Sequence, residues 1–214
     1  MAAGGGGHSA TPLLSLLGKA RSALRWTARG MNAAAGWMFF VCAAFITFDV
    51  FARNYLGFSS KSTTEVTGYM LAFGMAWGLA HTLLERGHVR VDMLVNRMPL
   101  GLRQYLHAVA LLLLAVFAGY ATYGAIFLAK ESFDFGATDM SALRVPLVIP
   151  QSLWAFGLAM LFVTALELLA ETLVLLAMKR GEEIDRLVSS RTYEDETAEV
   201  LQAVGEAPPA ESRA

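Results

Sequence analysis

Ionisable groups inside long apolar runs are the first places to look for chemistry. A charge in hydrocarbon is costly and persists only where it pairs or works. The chain has few such groups. Asp49 and Arg53 stand four apart at the end of one apolar run, a spacing that puts both on one helix face. The pair either neutralises itself at a membrane interface or meets a partner helix. Glu65 opens a second run after Ser62, Thr63 and Thr64. An acid in a first helical turn suits the helix dipole; the other reading pairs it with a basic residue elsewhere. Glu167 and Glu171 are like charges four apart, so at least one needs a cation or water. Interfacial exposure would supply it. His81 closes one run and His107 opens the next, and two imidazoles on facing antiparallel helices are a haem-ligand pattern. No second pair repeats it at the opposite membrane face.

Cys42, the only cysteine, has no intrachain disulfide partner, and metal sites need several ligands. It reads as a small buried apolar residue. The chain has no phosphate-cradling glycine loop with a lysine, no nucleophile–base constellation and no run of acids for a proton relay. Neither catalysis nor transport has an engine in these residues, and no cofactor or metal is expected.

The elements that must position these residues are membrane helices. Of 214 residues, 56% are hydrophobic and 16% charged, against roughly 25% charged in soluble domains. The net charge of −1 gives no footprint for a nucleic acid. Four stretches reach the length of about 20 apolar residues that a spanning helix needs: Met31–Ala52, Thr64–Leu84, Leu102–Ala129 and Pro146–Met178. The fourth exceeds the need and must tilt or project. Leu13–Leu17 is apolar, with Lys19, Arg21, Arg25 and Arg29 after it. A secretory signal has the reverse order, so Leu13–Arg29 reads as a basic amphipathic segment at the membrane surface.

Lys and Arg gather before the first span, between the second and third, and after the fourth. That side is expected to be cytoplasmic, with both termini inside. The organisation is then residues 1–30, a disordered start and basic interfacial segment; 31–178, an all-α membrane domain of four transmembrane helices; and 179–214, an acidic cytoplasmic tail.

Span two carries two small-residue ridges, Gly68, Ala72, Ala76 and Ala80 on one and Gly74 and Gly78 on the other. Small ridges let helices approach closely in lipid, so span two is expected to have neighbours on two sides, one in this chain and one in another subunit. Between Arg86 and Pro99, Arg86, Arg90 and Arg97 share one arc of a helix, and Val91, Leu94, Val95 and Met98 share the next. This describes an arm lying in the interface plane against anionic lipid headgroups; the plainer reading is a solvated cytoplasmic loop.

Three stretches, in this order between the spans, carry a family likeness: Thr64-Glu65-Val66-Thr67-Gly68-Tyr69-Met70-Leu71, Gly87-His88-Val89-Arg90-Val91-Asp92-Met93-Leu94, and Leu143-Arg144-Val145-Pro146-Leu147-Val148-Ile149-Pro150-Gln151. From about Met31 to Met178 the chain resembles the small permease subunit, DctQ type, of tripartite ATP-independent periplasmic (TRAP) transporters. The resemblance implies a bacterial inner-membrane protein that braces a large permease subunit. The large subunit would hold the substrate and sodium sites, and a periplasmic substrate-binding protein would deliver an organic acid. It also makes Glu65, His88, Arg90, Asp92 and Arg144 candidate contacts to subunits, periplasmic partner or lipid, beside Asp49, Arg53, Gly68, Gly74 and Gly78. The alternative class is a membrane anchor of a redox enzyme, haem-binding through His81 and His107; a small channel is a third.

Overall fold

The computed structural model describes residues 12–58, 62–87, 98–140 and 143–188. Five α-helices account for nearly all of them: α1 Pro12–Phe51, α2 Thr63–Leu84, α3 Leu100–Asp134, α4 Val148–Ala177 and the short α5 Gly181–Val188. Among the described residues the only β-type pairing is an isolated antiparallel bridge, Thr138 with Pro146, in the α3–α4 connection.

Three helices, α1, α3 and α4, are long and apolar enough to cross a membrane. Helix α2 has 22 residues, about 33 Å at 1.5 Å per residue, and is less apolar because Glu65, two threonines of its first turn and His81 lie in it.

Packing follows from where each helix is small. The buried positions of α1, namely Ala28, Met31, Ala35, Cys42 and Asp49, continuing to Ala52, recur at steps of three, four and seven. On α3 the buried set is Ala108, Leu111, Ala115, Ala118, Thr122, Ala125 and Ser132, at the same steps, with His107 buried beside Ala108. A single seam of period 3.5 is what a helix shows when it leans on one neighbour. Helix α4 is buried more broadly, from Ala155 and Gly157 to Thr172 and Leu175. It stands at the centre and packs against α3, α2, α1 and α5, while α1 packs mainly against α2.

The contacts also give direction. Gly74 faces Phe39 and Gly78 faces Asn32, so α1 and α2 run antiparallel. Gly157 abuts Ala76 and Trp77, while Leu83 shares a core with Leu161, Ala165 and Leu168, so α2 and α4 run parallel. Gly119 faces Phe162, and Ala125 packs with Ala155 and Leu158, making α3 and α4 antiparallel.

Where lipid replaces water, helices gain little from hiding apolar surface from each other, and close van der Waals approach holds them together. The alanines of the α3–α4 seam serve that approach. Gly157 serves it at the α2–α4 contact, where a Cβ would lie 2.8 Å from the carbonyl carbon and the Cβ of Ala76.

Two sequence expectations change here. The basic stretch Leu13–Arg29 is not a separate surface segment: α1 runs unbroken from Pro12 to Phe51, and Arg21 and Arg25 turn toward α4 and α2. Carboxylates on those helices hold it upright. Of the small ridges of α2, Gly74 and Gly78 meet α1 and Ala76 and Ala80 lie in the packed interior toward α4, while Gly68 and Ala72 face outward. The proposed arm and its residues His88, Arg90 and Asp92 lie outside the described residues, as do residues 1–11 and the tail beyond Val188.

Candidate functional site

The helix directions gather charges at two ends. At one, the basic end, α2 and α4 both stop by the same device. The Gly87 N–H donates to the Thr82 carbonyl at 2.9 Å, and the Arg180 N–H donates to the Leu175 carbonyl at 3.0 Å. These are the wrapping bonds of a helix that ends on a left-handed residue, a place glycine usually takes. Here it is Arg86, with φ 59°, and Lys179, with φ 58°. A side chain there costs about 1 kcal/mol, offset in part because a cation at a helix C-terminus meets the negative end of the dipole.

Three ion pairs cross this end. Arg21 Nη1 donates to Glu171 Oε2 at 3.0 Å, tying α1 to α4. Arg25 Nε lies 3.7 Å from Glu85 Oε1, tying α1 to the end of α2. Arg180 pairs with Glu183 at the start of α5. Beneath them Glu167 is 8% exposed, with both carboxylate oxygens sealed and lacking a hydrogen-bond partner. Glu171 and Arg21 are the charges it feels. The like-charged pair on α4 is thus resolved by a cation from α1 rather than by exposure to water. Helix α5 folds back so that Ile184 and Val188 are buried, Val188 against the Leu83–Leu168 core.

At the opposite end Asp49 is 3% exposed and accepts from Arg53 Nη2 at 2.8 Å. A π-helical turn, Ala52–Leu56, follows α1 and closes on Gly57 in the left-handed region. The guanidinium of Arg53 remains largely exposed, so a buried carboxylate holds a cation at the surface. Glu65 sits in the first turn of α2, but the start of that helix has no side-chain cap. Its Oε2 is sealed without a partner. Nearby, the Tyr69 hydroxyl is hydrogen-bonded to Asp139 of the α3–α4 connection. Arg144, with φ 45°, is exposed in the same connection, which the Asp139 N–H closes on the Val145 carbonyl at 3.0 Å.

The structure therefore brings Asp49 and Arg53 into contact and puts Glu65 and Arg144 at their end of the molecule. Gly74 and Gly78 lie midway, and Gly68 is on the surface with nothing within 4 Å of a built Cβ. His81 lies on α2 and His107 on α3, whose main neighbour is α4. Among the described residues no group of three metal-ligating side chains forms. Sequence reasoning missed Gly157, which sits in an apolar run without a small partner four residues away. It also missed Trp77 Nε1, which donates to the Leu153 carbonyl at 2.9 Å. Trp77→Phe should cost about 1 kcal/mol, one net hydrogen bond, read as a small drop in thermal midpoint with unchanged helicity.

The outward faces of α1 and α3 are apolar and broad, with Trp37, Phe40 and Phe48 on one and Phe117, Tyr120 and Tyr123 on the other. Apolar hollows interrupt that surface, one between α3 and α4 and one beside Gly30 and Ala33 of α1. Between α1 and α2 lies a groove of about 300 Å³ floored by Ala35, Gly36, Gly74 and Gly78 and edged by Asn32 and Thr82.

The model for the DctQ component of tripartite ATP-independent periplasmic transporters matches residues 41–175, well over half of the chain. No curated protein and no solved structure matches it. The matched region begins about three-quarters of the way along α1 and ends near the close of α4, taking in α2, α3 and their contacts with α4. The chain belongs to the DctQ family, the small membrane component of TRAP transporters.

Proposed function

We propose that this chain is the brace of its transporter: it crosses the bacterial inner membrane four times, with both termini in the cytoplasm, and holds a large permease subunit against the α1–α2 groove. The large subunit would carry the substrate and the co-transported sodium, and a periplasmic binding protein would supply an organic acid. Helix α2 is the fourth crossing in this reading; it runs beside α1 and α4 and is long enough to traverse a core of about 30 Å. The basic end faces the cytoplasm by the distribution of Lys and Arg.

The groove is the observation that carries the reading. Lipid chains select no small residues, whereas a partner helix needs them for close approach, and an amide such as Asn32 needs a polar partner at this depth. Gly36 is exposed with nothing within 4 Å of a built Cβ, and so is Gly124 on α3. Gly36→Leu is therefore expected to leave the chain folded and to reduce co-purification of a co-expressed large permease subunit severalfold. Gly124→Leu is expected to leave recovery unchanged. Equal recovery with both variants would discard the groove. Uptake by the isolated chain in liposomes would discard the brace itself.

A further inference from the structure

A cavity of about 340 Å³ opens at the basic end where α1, α2, α4 and α5 meet. Its polar wall is Arg21, Arg25, Arg86, Glu171 and Glu183, and its remaining lining is four leucines. Three arginines and two glutamates line it, and Glu85 adds a third carboxylate beside Arg25. Both glutamates are engaged, Glu171 by Arg21 and Glu183 by Arg180. The Nε of Arg25 is sealed from solvent with no acceptor at hydrogen-bond distance, since Glu85 Oε1 stands 3.7 Å away. The sealed Nε takes no ligand from the cavity, but the Arg25 side chain is 43% exposed and lines a cavity of ligand size.

Guanidinium groups match phosphate oxygens in charge and in planar donor geometry. The carbonyl ends of α2 and α4 oppose an anion, and Arg86 and Lys179, held at those ends by left-handed backbone, counter them. The cavity lies where the apolar runs of α2 and α4 stop, at Leu84 and Ala177, which is the level of a headgroup when these helices span. Its leucines suit the apolar start of a lipid.

We infer that this cavity binds a phosphate group, with Arg25 and Arg86 as its ligands. The phosphate is that of a phospholipid headgroup or a free phosphate ion, and the experiment separates the two. Full-length chain in detergent is titrated with short-chain phosphatidylglycerol, with diacylglycerol of the same chain length, and with inorganic phosphate, and bound adducts are counted by native mass spectrometry. Phosphatidylglycerol is expected to bind and diacylglycerol is not. The double change Arg25→Ala and Arg86→Ala should weaken binding about ten-fold or more, the loss expected for charge-assisted hydrogen bonds. Arg53→Ala at the opposite end should leave it unchanged. Binding of inorganic phosphate identifies the free ion as sufficient; binding of the lipid alone identifies the headgroup.

Should the alanine pair unfold the chain, Arg25→Lys with Arg86→Lys keeps the charge and removes the planar fork, and a severalfold loss is still expected. The inference is overturned by diacylglycerol binding as well as phosphatidylglycerol, by a folded double variant that binds like the unmodified chain, or by binding of neither phosphate probe.

Discussion

Gly157→Ala is expected to lower the stability of this chain more than any other addition of a single methyl group at a helix glycine. The new Cβ would stand 2.8 Å from the carbonyl carbon and Cβ of Ala76 and 2.9 Å from Trp77 Cδ1. Contacts that short do not exist between carbon atoms, so α2 and α4 must move apart along their shared length. Overpacking of this kind costs about 1–3 kcal/mol. The upper part of that range applies here because the obstacle includes backbone, which has no rotamer to change.

Gly119→Ala is the control. Its Cβ would meet Phe162 Cε2 at 2.9 Å, but a ring edge can swing aside, and little loss is expected. Adding Ala76→Gly to Gly157→Ala should restore part of the stability by removing one of the three blocking carbons. Thermal unfolding of the purified chain in detergent gives the order: unmodified and Gly119→Ala together, the double variant below, and Gly157→Ala lowest. A midpoint for Gly157→Ala equal to that of Gly119→Ala would remove the close approach of α2 and α4 from the account.

The second large effect is expected at Arg21. Its guanidinium bonds Glu171 at 3.0 Å and is the cation nearest the buried Glu167. Arg21→Ala leaves two carboxylates together on α4 with no cation between them. Breaking a buried ion pair costs about 3–5 kcal/mol; the low end applies because the Arg21 side chain is 31% exposed. Glu167→Gln behaves oppositely. It removes a charge whose oxygens have no hydrogen-bond partner, so the substitution should be neutral or stabilising, and it should recover part of the loss in an Arg21→Ala background. A double-mutant cycle on detergent unfolding measures this directly. Additive effects at the two sites would show that Arg21 does not serve Glu167.

The sequence and the structure agree most where information is local. As helices, Thr64–Leu84 against Thr63–Leu84, and Pro146–Met178 against Val148–Ala177, differ by at most two residues at either end. The Asp49–Arg53 pair is local as well, one turn of one helix. What was not legible involves partners distant in the chain. Arg21 and Glu171 are 150 residues apart, and nothing around Lys19–Arg29 announces that carboxylates on other helices will receive its arginines. The segment therefore read as a surface strip when it is the first two-fifths of α1. The small ridges of α2 declared close contact but not with whom, since Gly74 and Gly78 would serve a neighbour from either source. Gly157 gave no signal at all, because its partner is the backbone of another helix and not a residue four positions away.

The length of α1 has a mechanical consequence. Forty residues without a break make a rod of about 60 Å, twice the thickness of the hydrocarbon layer. It is fastened in its first half by Arg21 and Arg25 and packed further along where Asn32 and Phe39 meet Gly78 and Gly74. A rod held along a seam from Ala28 to Ala52 moves as one piece, so a shift imposed at the arginines also displaces Arg53 and the π turn at the far end. Helix α1 can thus carry a displacement from one end of the bundle to the other through rigidity alone.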